Sequence, residues 1–306
     1  MTAPPTFASI HEYGSRLDDV TFWWPLVAEV LERHGVDEAG LEPVAGFAGT
    51  YPTFLFGDVV VKLFGYFPAW RESHEVERAA GALVATDPEI LAPSLLGEGN
   101  LFDDVEAPWP YLVTSRLPGI AWRDADLSGE QRCSVAGELG RQMQRVHGLR
   151  PPADAPLVDL ATLNAGAISE RHRAWGSLPL HLIGQIDGFL TGLGSFDRVF
   201  VHADLTADHA FVDRGRLTAI IDWGDAMVTD RHHELGALHL GMFNCDKAVL
   251  RSFLEAYDWP VSRDFPRQAL RLALLHSFDV FDPVGTLLPL HDIATLDELA
   301  TELFAV

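Results

Sequence analysis

The sequence has little of what several protein classes require. Only two cysteines, Cys133 and Cys245, occur among 306 residues, which argues against a disulfide framework and fits a reducing cytoplasm. No uncharged apolar run approaches the ~20 residues that a membrane-spanning helix needs. Residues 1–19 have no apolar core segment of the kind found in signal peptides. We therefore expect a cytoplasmic protein without a membrane partner.

Basic residues are also scarce. Lysine and arginine total 22 against 44 aspartates and glutamates, which gives a formal net charge of −22. Nucleic acids and anionic membranes both require a basic surface, so neither is expected as the main partner. An acidic field would instead attract a cationic ligand. Because many soluble proteins are acidic simply for solubility, the charge serves only to rank candidate ligands.

Several well-known catalytic motifs are missing from the chain. The Gly-x-x-x-x-Gly-Lys-Ser/Thr pattern of P-loop enzymes does not occur, and neither does His-Glu-x-x-His or a pair of zinc-binding cysteines. The Gly-x-Ser-x-Gly elbow of serine hydrolases is absent as well. We interpret His147 as a helix-terminal residue that caps the helix or complements its dipole, and residues 232–234 as the start of a helix.

What is present predicts a globular α+β protein with two lobes. Hydrophobic residues make up 48% of the chain, enough for substantial cores. Strand patterns dominate the first part and helical patterns the second, with a hinge near residues 114–119. We therefore predict a small, β-rich lobe at 1–115 and a larger, mainly helical lobe at 116–306. The predicted elements of the first lobe are a helix at 25–34, two strands within 44–57, strands at 58–64 and 111–114, and a helix at 71–85.

The second lobe contains clear helix signals. Ser128 and Gln131 form a capping-box pattern, and the helix that follows should end at Gly148. Further helical segments are predicted at 162–175 and 179–193, and the tail from residue 232 is again mostly helical.

The most informative stretch lies between these helices and the tail. It reads His202-Ala203-Asp204-Leu205-Thr206-Ala207-Asp208-His209, and Ile220-Ile221-Asp222-Trp223 follows. Strand-like residues 210–212 and 217–221 flank the turn-forming residues 213–215, so they should pair as a hairpin. That hairpin would bring Asp222 back beside His209. The spacing is typical of a kinase-type phosphoryl-transfer site, where one aspartate receives the proton of the attacking hydroxyl and another binds magnesium.

Lys62 is a second candidate, because it is a cation within an apolar strand. A buried, unpaired ammonium is unfavourable, so Lys62 needs a carboxylate or a phosphate unless it reaches solvent at a strand edge. Glu75 and Glu77 on the next helix are the candidate partners, and Glu77 is favoured. In kinases, such a pair directs the lysine to the nucleotide phosphates.

A glycine-rich stretch precedes this strand. Residues 46–53 read Gly-Phe-Ala-Gly-Thr-Tyr-Pro-Thr, and their glycines would allow close approach of a phosphate. A plain hairpin turn explains the stretch equally well. We include Gly49 and Thr50 among the candidate nucleotide-binding residues, together with Thr114 at the hinge.

Together these residues resemble the aminoglycoside phosphotransferase family, which has a protein-kinase-like fold. That family's loop reads His-Gly-Asp-Leu, then three residues and Asn, and its hairpin ends in Ile-Asp-Trp. The resemblance implies that Asp204 is the catalytic base, that His209 and Asp222 contact the metal, and that Lys62 pairs with the helix glutamate. The segments at 61–65, 109–113 and 275–281 look most like the hygromycin B 7″-O-kinase branch.

Two positions depart from the family pattern. Ala203 replaces the glycine, and His209 stands where the asparagine is expected. Imidazole is a softer ligand than an amide oxygen and a poorer partner for Mg²⁺, so Mn²⁺ is an alternative metal. Macrolide 2′-phosphotransferases also carry histidine at this position.

The resemblance implies an antibiotic O-phosphotransferase that uses ATP or GTP with Mg²⁺. A cationic aminoglycoside-type antibiotic such as hygromycin B is the first acceptor to expect. Macrolide and nucleoside antibiotics are alternatives, and so is a kinase-fold protein that binds its ligand without turnover. The sequence leaves open the hydroxyl that is modified, the nucleotide base and the oligomeric state.

Overall fold

The structure is a computed structural model that describes residues 3–36, 42–46, 49–159, 167–191 and 197–306. The chain divides into two compact units. The smaller unit comprises Met1–Thr86 and Ala92–Leu117, and the larger one comprises Asp87–Leu91 and Pro118–Val306. Both helices and sheets are present, so the prediction of an α+β chain is confirmed.

In its described residues, the smaller unit contains three helices and a five-stranded antiparallel sheet. Its elements are α1 (Ile10–Gly14), α2 (Val20–Arg33), β1 (Val44–Ala45), β2 (Thr53–Phe56), β3 (Val59–Leu63), α3 (Trp70–Val84), β4 (Leu95–Asn100) and β5 (Pro110–Ser115). The strand order is β1-β2-β3-β5-β4. The two predicted strands within 44–57 are β1 and β2, which pair antiparallel. Neither α1 nor β4 was predicted, and α2 begins before the predicted residue 25.

Aromatic side chains fill the core of the smaller unit. Trp23 of α2 is fully buried, and its ring centroid lies 5.4 Å from that of Trp109. Gly65, which follows β3, has no room for a side chain, because an added Cβ would lie 2.4 Å from the Trp109 ring. The close approach of the chain to this ring therefore requires glycine at position 65.

The larger unit is mainly helical and contains two three-stranded sheets. Its elements are β6 (Ile120–Ala121), α4 (Gly129–Gly148), β7 (Val158–Asp159), α5 (Ile168–Trp175), α6 (Leu180–Ile183), α7 (Ile186–Leu190), β8 (Arg198–Val201), β9 (Ala210–Asp213), β10 (Arg216–Ile220), β11 (Met227–Asp230), α8 (Lys247–Tyr257), α9 (Phe265–Leu274), α10 (Val284–Leu287) and α11 (Leu296–Phe304). Short 3₁₀ helices lie at Trp122–Asp124, Arg231–His233 and Leu290–Asp292, and a π-helix lies at Gly236–Met242.

Several predictions for this unit can be compared with these elements. The capping box of Ser128 and Gln131 is present, and α4 ends at Gly148 as expected. The helix predicted at 162–175 is observed from Ile168, while residues 162–166 lie outside the described residues. The predicted helix at 179–193 was wrong as one element, because Gly184 and Gln185 separate α6 from α7; its last residues also lie outside the described part.

Helices α4 and α8 make a close contact at Gly140. A Cβ added to Gly140 would lie 2.3 Å from the carbonyl oxygen of Phe253, so the backbones meet without a side chain between them. A Cβ at Gly137, one turn earlier, would lie 3.6 Å from the Cβ of Ala256, an ordinary contact distance. The α4–α8 packing therefore depends on glycine at position 140.

This contact predicts opposite results for two alanine substitutions in the same helix. Gly140→Ala should lower the free energy of unfolding by about 1–3 kcal/mol, as overpacking of a core does. Gly137→Ala is the matched control and should be neutral or stabilising, because alanine is the better helix former. Urea unfolding of both variants measures the difference. Equal stabilities would contradict the close packing at Gly140.

Candidate functional site

The predicted hairpin forms between β9 and β10. Arg214 and Gly215 connect the strands, and both have positive φ angles of 49° and 74°. Positive φ at both central residues is typical of a type I′ turn, whose twist matches that of the paired strands. The N–H of Ile221 donates to the carbonyl oxygen of His209 (2.9 Å), which returns the chain to the start of β9.

The hairpin brings Asp204, His209 and Asp222 together. His209 Nδ1 lies 2.6 Å from the main-chain oxygen of Asp204, and His209 Nε2 lies 3.8 Å from Asp222 Oδ2. Since a carbonyl oxygen can only accept, Nδ1 carries the hydrogen. Nε2 is then the ring nitrogen that faces the Asp222 carboxylate. The sequence-based expectation that Asp222 lies beside His209 is therefore confirmed as geometry.

His202 supports the loop that carries Asp204 and His209. It is completely buried, and its Nε2–H donates to the carbonyl oxygen of Ile221 (2.9 Å). Its Nδ1 accepts the N–H of Asp204 (3.3 Å). Burial lowers the pKa of His202, so this ring is neutral. The ring therefore connects the backbones on both sides of the cluster.

The carboxyl group of Asp204 ionises with difficulty in this environment. Burial is the main cause that raises its pKa, to about 7. His209 lowers the pKa, while the neighbouring carboxylates of Asp225, Asp222 and Glu234 raise it. A base with a pKa near the working pH is well suited to proton transfer, since it is deprotonated in a useful fraction of molecules and still binds a proton.

The cluster offers two donor groups for a metal, His209 Nε2 and the Asp222 carboxylate. Among the described residues, no group of three or more His, Cys, Asp or Glu side chains is arranged as a metal site. Mg²⁺ fits such a sparse set, because it commonly binds one or two protein ligands and takes its other oxygens from phosphates and water. The assignment of His209 and Asp222 as metal ligands, and of Asp204 as the base, stays a prediction.

The other candidate residues lie in the smaller unit. Lys62 Nζ on β3 lies 2.7 Å from Glu77 Oε2 on α3, so the favoured partner is the one observed and Glu75 is not. Both side chains are largely buried, so the charge of Lys62 needs a nearby carboxylate, which Glu77 provides. In the pairing of β3 with β5, Lys62 is opposite Leu112 and Val60 is opposite Thr114.

Gly49 and Thr50 precede β2. The carbonyl oxygen of Thr50 accepts the hydroxyl of Tyr13 (2.9 Å), which fixes the loop to α1. Residues 47 and 48 of the proposed phosphate loop lie outside the described residues. A nucleotide-binding role for Lys62, Glu77, Gly49, Thr50 and Thr114 therefore stays a prediction.

Two residues that the sequence did not indicate support the loop at 202–209, which carries the candidate base and is hereafter the catalytic loop. Glu234 is fully buried and accepts backbone N–H groups of this loop. His147 lies in the last turn of α4, as predicted, and it is also buried, with Nδ1 2.8 Å from the Tyr257 hydroxyl and Nε2 3.5 Å from Glu234. No local sequence pattern indicated these contacts, because they join distant parts of the chain.

An ion pair holds the far end of the loop. Arg123 Nη1 lies 2.8 Å from Asp208 Oδ1, and the Arg123 N–H donates to the carbonyl oxygen of Ala207 (3.0 Å). The 3₁₀ helix at Trp122–Asp124 thereby contacts the residues directly before His209. Both side chains of the ion pair are partly exposed, so the pair orients the loop more than it stabilises the protein.

Comparisons with known proteins agree with the kinase-like architecture. The chain aligns with the GDP and kanamycin complex of APH(2″)-IIIa at a TM-score of 0.62 and 17% identity, covering 92% of this chain and 96% of that one. It aligns with macrolide 2′-phosphotransferase MphH from Brachybacterium faecium at 0.58 and 18%, covering 93% and 99%. Aminoglycoside phosphotransferase APH(3″)-Id from Streptomyces rimosus gives 0.55 and 20%, covering 82% and 98%. At these identities the likeness shows the fold.

The family itself is shown by a sequence model. The model of the phosphotransferase enzyme family matches residues 53–270, well over half of the chain. The chain belongs to this family. It is therefore an enzyme, a nucleotide-dependent phosphotransferase with a hydroxyl acceptor. Within the described residues, no helix is long and apolar enough to cross a membrane.

The raised pKa of Asp204 predicts a pH-dependent gain in stability for Asp204→Asn. In the metal-free protein, the folded state holds the Asp204 proton up to about pH 7, whereas the unfolded chain releases it near the ordinary value of 3.8. Stability therefore falls as pH rises between these values. Asp204→Asn should raise the melting temperature at pH 8, and the gain should shrink at pH 5. Thermal unfolding at both values checks this, with Asp154→Asn at an exposed position as the control. A gain that is equal at both values would contradict the prediction.

Proposed function

We propose that this enzyme transfers the γ-phosphoryl group of ATP or GTP to a hydroxyl of a cationic, aminoglycoside-type antibiotic, with hygromycin B as the first candidate. The observation that carries the proposal is that Asp204 and His209, before the β9–β10 hairpin, meet Asp222, which follows it. The net charge of −22 favours a cationic acceptor. Relatives with this fold have been studied as complexes with GDP and kanamycin, which supports this class of ligand.

In the proposed reaction, the Asp204 carboxylate accepts the proton of the acceptor hydroxyl. The hydroxyl oxygen forms a bond to the γ-phosphorus. The bond between that phosphorus and the oxygen that bridges it to the β-phosphorus breaks, and a nucleoside diphosphate leaves. His209 Nε2 and Asp222 would hold Mg²⁺, which supplies positive charge next to the phosphate oxygens. We assign nucleotide binding to the lobe at 1–115, with Lys62 paired to Glu77, and catalysis to the lobe at 116–306.

A macrolide is the second candidate acceptor. The specific observation is His209 at a position where the family pattern has asparagine, combined with the alignment to MphH along 93% of this chain.

A panel of acceptors separates the possibilities. The enzyme is incubated with ATP or GTP, Mg²⁺ and either hygromycin B, kanamycin, a macrolide or a nucleoside antibiotic, and the phosphorylated product is identified by mass spectrometry. Nucleotide binding without product from any of these acceptors would contradict the proposed acceptor class.

Removal of the proposed base should affect turnover and leave nucleotide binding intact. Asp204→Asn should reduce kcat by roughly 10²–10⁴, the usual contribution of a general base. The dissociation constant of the nucleotide should change little, because the base contacts the acceptor. Steady-state kinetics and calorimetry measure the two effects, with Asp154→Asn as the control. A variant with nearly normal kcat would remove Asp204 from this role.

The metal preference tests the role of His209. An imidazole nitrogen favours Mn²⁺ over Mg²⁺ more than an amide oxygen does. His209→Asn should therefore keep substantial activity and shift the ratio of Mg²⁺-supported to Mn²⁺-supported rates towards Mg²⁺. The two rates are measured for each protein under saturating nucleotide. Identical ratios in wild type and variant would show that His209 does not coordinate the metal.

A further inference from the structure

A side chain of the N-terminal helix α1 contacts the proposed phosphate loop at residues 46–53. Tyr13 of α1 is buried, and its hydroxyl donates to the carbonyl oxygen of Thr50 (2.9 Å). Helix α1 comes before residues 53–270, which the family model matches, so this contact lies outside the matched part of the chain. Thr50 is a candidate nucleotide-binding residue, and its backbone position therefore depends on a segment that precedes the kinase-like core.

Packing and helix capping hold Tyr13 in place. Its ring packs edge-to-face on Phe7, with the ring centroids 5.2 Å apart, and the Tyr66 ring lies at the same distance on a tilted plane. The helix begins after Ser9, whose hydroxyl oxygen accepts the N–H of Glu12 (3.2 Å). A side chain restricted in this way can order the more loosely built segment that it contacts. The bond to Thr50 therefore fixes the loop rather than the phenol.

The phenol also interacts with the charge of Lys62. Burial is the main cause that raises the pKa of Tyr13, Tyr51 adds to it, and the Lys62 ammonium acts in the opposite direction. The hydroxyl is therefore neutral and carries the hydrogen that it donates to Thr50. Because Lys62 is the residue that we assign to the nucleotide phosphates, the contact lies near the phosphate end of the proposed nucleotide site.

The next residue of the loop is held from another helix. The Tyr51 hydroxyl donates to Ser73 Oγ of α3 (2.9 Å), and the Tyr51 ring centroid lies 5.9 Å from Lys62 Nζ. Helix α3 also carries Glu77, the partner of Lys62. Two successive residues of the loop are thus fixed by hydroxyl hydrogen bonds, Thr50 to α1 and Tyr51 to α3.

We infer that Tyr13 is a positioning residue for the nucleotide: its hydroxyl holds the loop at Thr50 in the conformation that receives the phosphates. This inference rests on the proposed assignment of nucleotide binding to residues 1–115. A carbonyl oxygen can only accept hydrogen bonds, as the oxygens of an ionised phosphate do, so the Thr50 carbonyl cannot bind the phosphates and is satisfied by α1 instead. A loop that is ordered before binding does not have to be ordered by the ligand, and this raises affinity.

The test compares Tyr13→Phe with Tyr66→Phe in the full chain. Each substitution keeps the ring and removes one hydroxyl. The Tyr66 hydroxyl is the matched control, because it also donates to a backbone oxygen, that of Phe7 (3.2 Å), which lies outside the loop. Calorimetry measures the dissociation constant of Mg²⁺–ATP. Hydrogen exchange of peptides that cover residues 49–56 measures the order of the loop, and thermal unfolding measures the loss of stability in each variant.

We expect Tyr13→Phe to raise the dissociation constant of Mg²⁺–ATP roughly fivefold, which corresponds to the ~1 kcal/mol net contribution of one hydrogen bond. Exchange at 49–56 should be faster in the free variant and slow again with saturating nucleotide, because the ligand then orders the loop. In kinetics, KM for ATP should rise while kcat stays nearly constant, since the hydroxyl is not part of the catalytic loop. Tyr66→Phe should lower the melting temperature to a similar degree without these effects.

An unchanged dissociation constant in Tyr13→Phe would overturn the inference, whatever the exchange rates. Equal increases in Tyr13→Phe and Tyr66→Phe would also overturn it, because a general loss of stability would then be the cause. If Tyr13→Phe does not fold, Ser9→Ala removes the cap of α1 and should speed exchange at 49–56 to a smaller degree; unchanged exchange there would equally contradict the inference. If the wild type binds no nucleotide, the proposed function fails, while the exchange data still decide whether Tyr13 holds the loop.

Discussion

The burial of the Asp204 carboxyl group is the main physical constraint on the loop that carries it. This group is mostly withdrawn from water and lies near three other carboxylates, so ionisation is unfavourable and its pKa rises to about 7. Ionisation of Asp204 therefore lowers the free energy of unfolding. The nearby imidazole of His209 offsets part of this cost, and it also presents Nε2 to Asp222. The same electrostatics that destabilise the fold make Asp204 a suitable base.

The loop can hold this arrangement because three independent elements support it. The β9–β10 hairpin returns the chain to His209, His202 connects the loop to Ile221, and Glu234 accepts the N–H groups before Asp204. Glu234 in turn depends on His147 of α4, and α4 packs tightly against α8 at Gly140. Helix packing is therefore linked to the position of Asp204, the proposed base, through a short series of contacts.

The sequence predicted those parts of the site that depend on local chemistry. A turn of Asp213, Arg214 and Gly215 between two apolar stretches defines a hairpin, and the hairpin places Asp222. The Lys62–Glu77 pair was also predictable, because a buried ammonium needs a carboxylate on a neighbouring element. The capping box at Ser128 located the start of α4, because it is a local pattern of two residues at a helix N-terminus.

What the sequence could not predict depends on contacts between distant residues. Glu234 and His147 are 87 residues apart, and no local pattern relates either of them to Asp204. The edge strand β4 was missed because its glycines and largely exposed residues lack strand periodicity. The pKa of Asp204 follows from burial, which no local pattern reports. A carbon NMR titration of the Asp204 carboxyl in the metal-free protein, assigned with Asp204→Asn, measures its pKa directly. We expect a midpoint near pH 7, and a midpoint near the ordinary value of 3.8 would show that burial does not raise the pKa of Asp204.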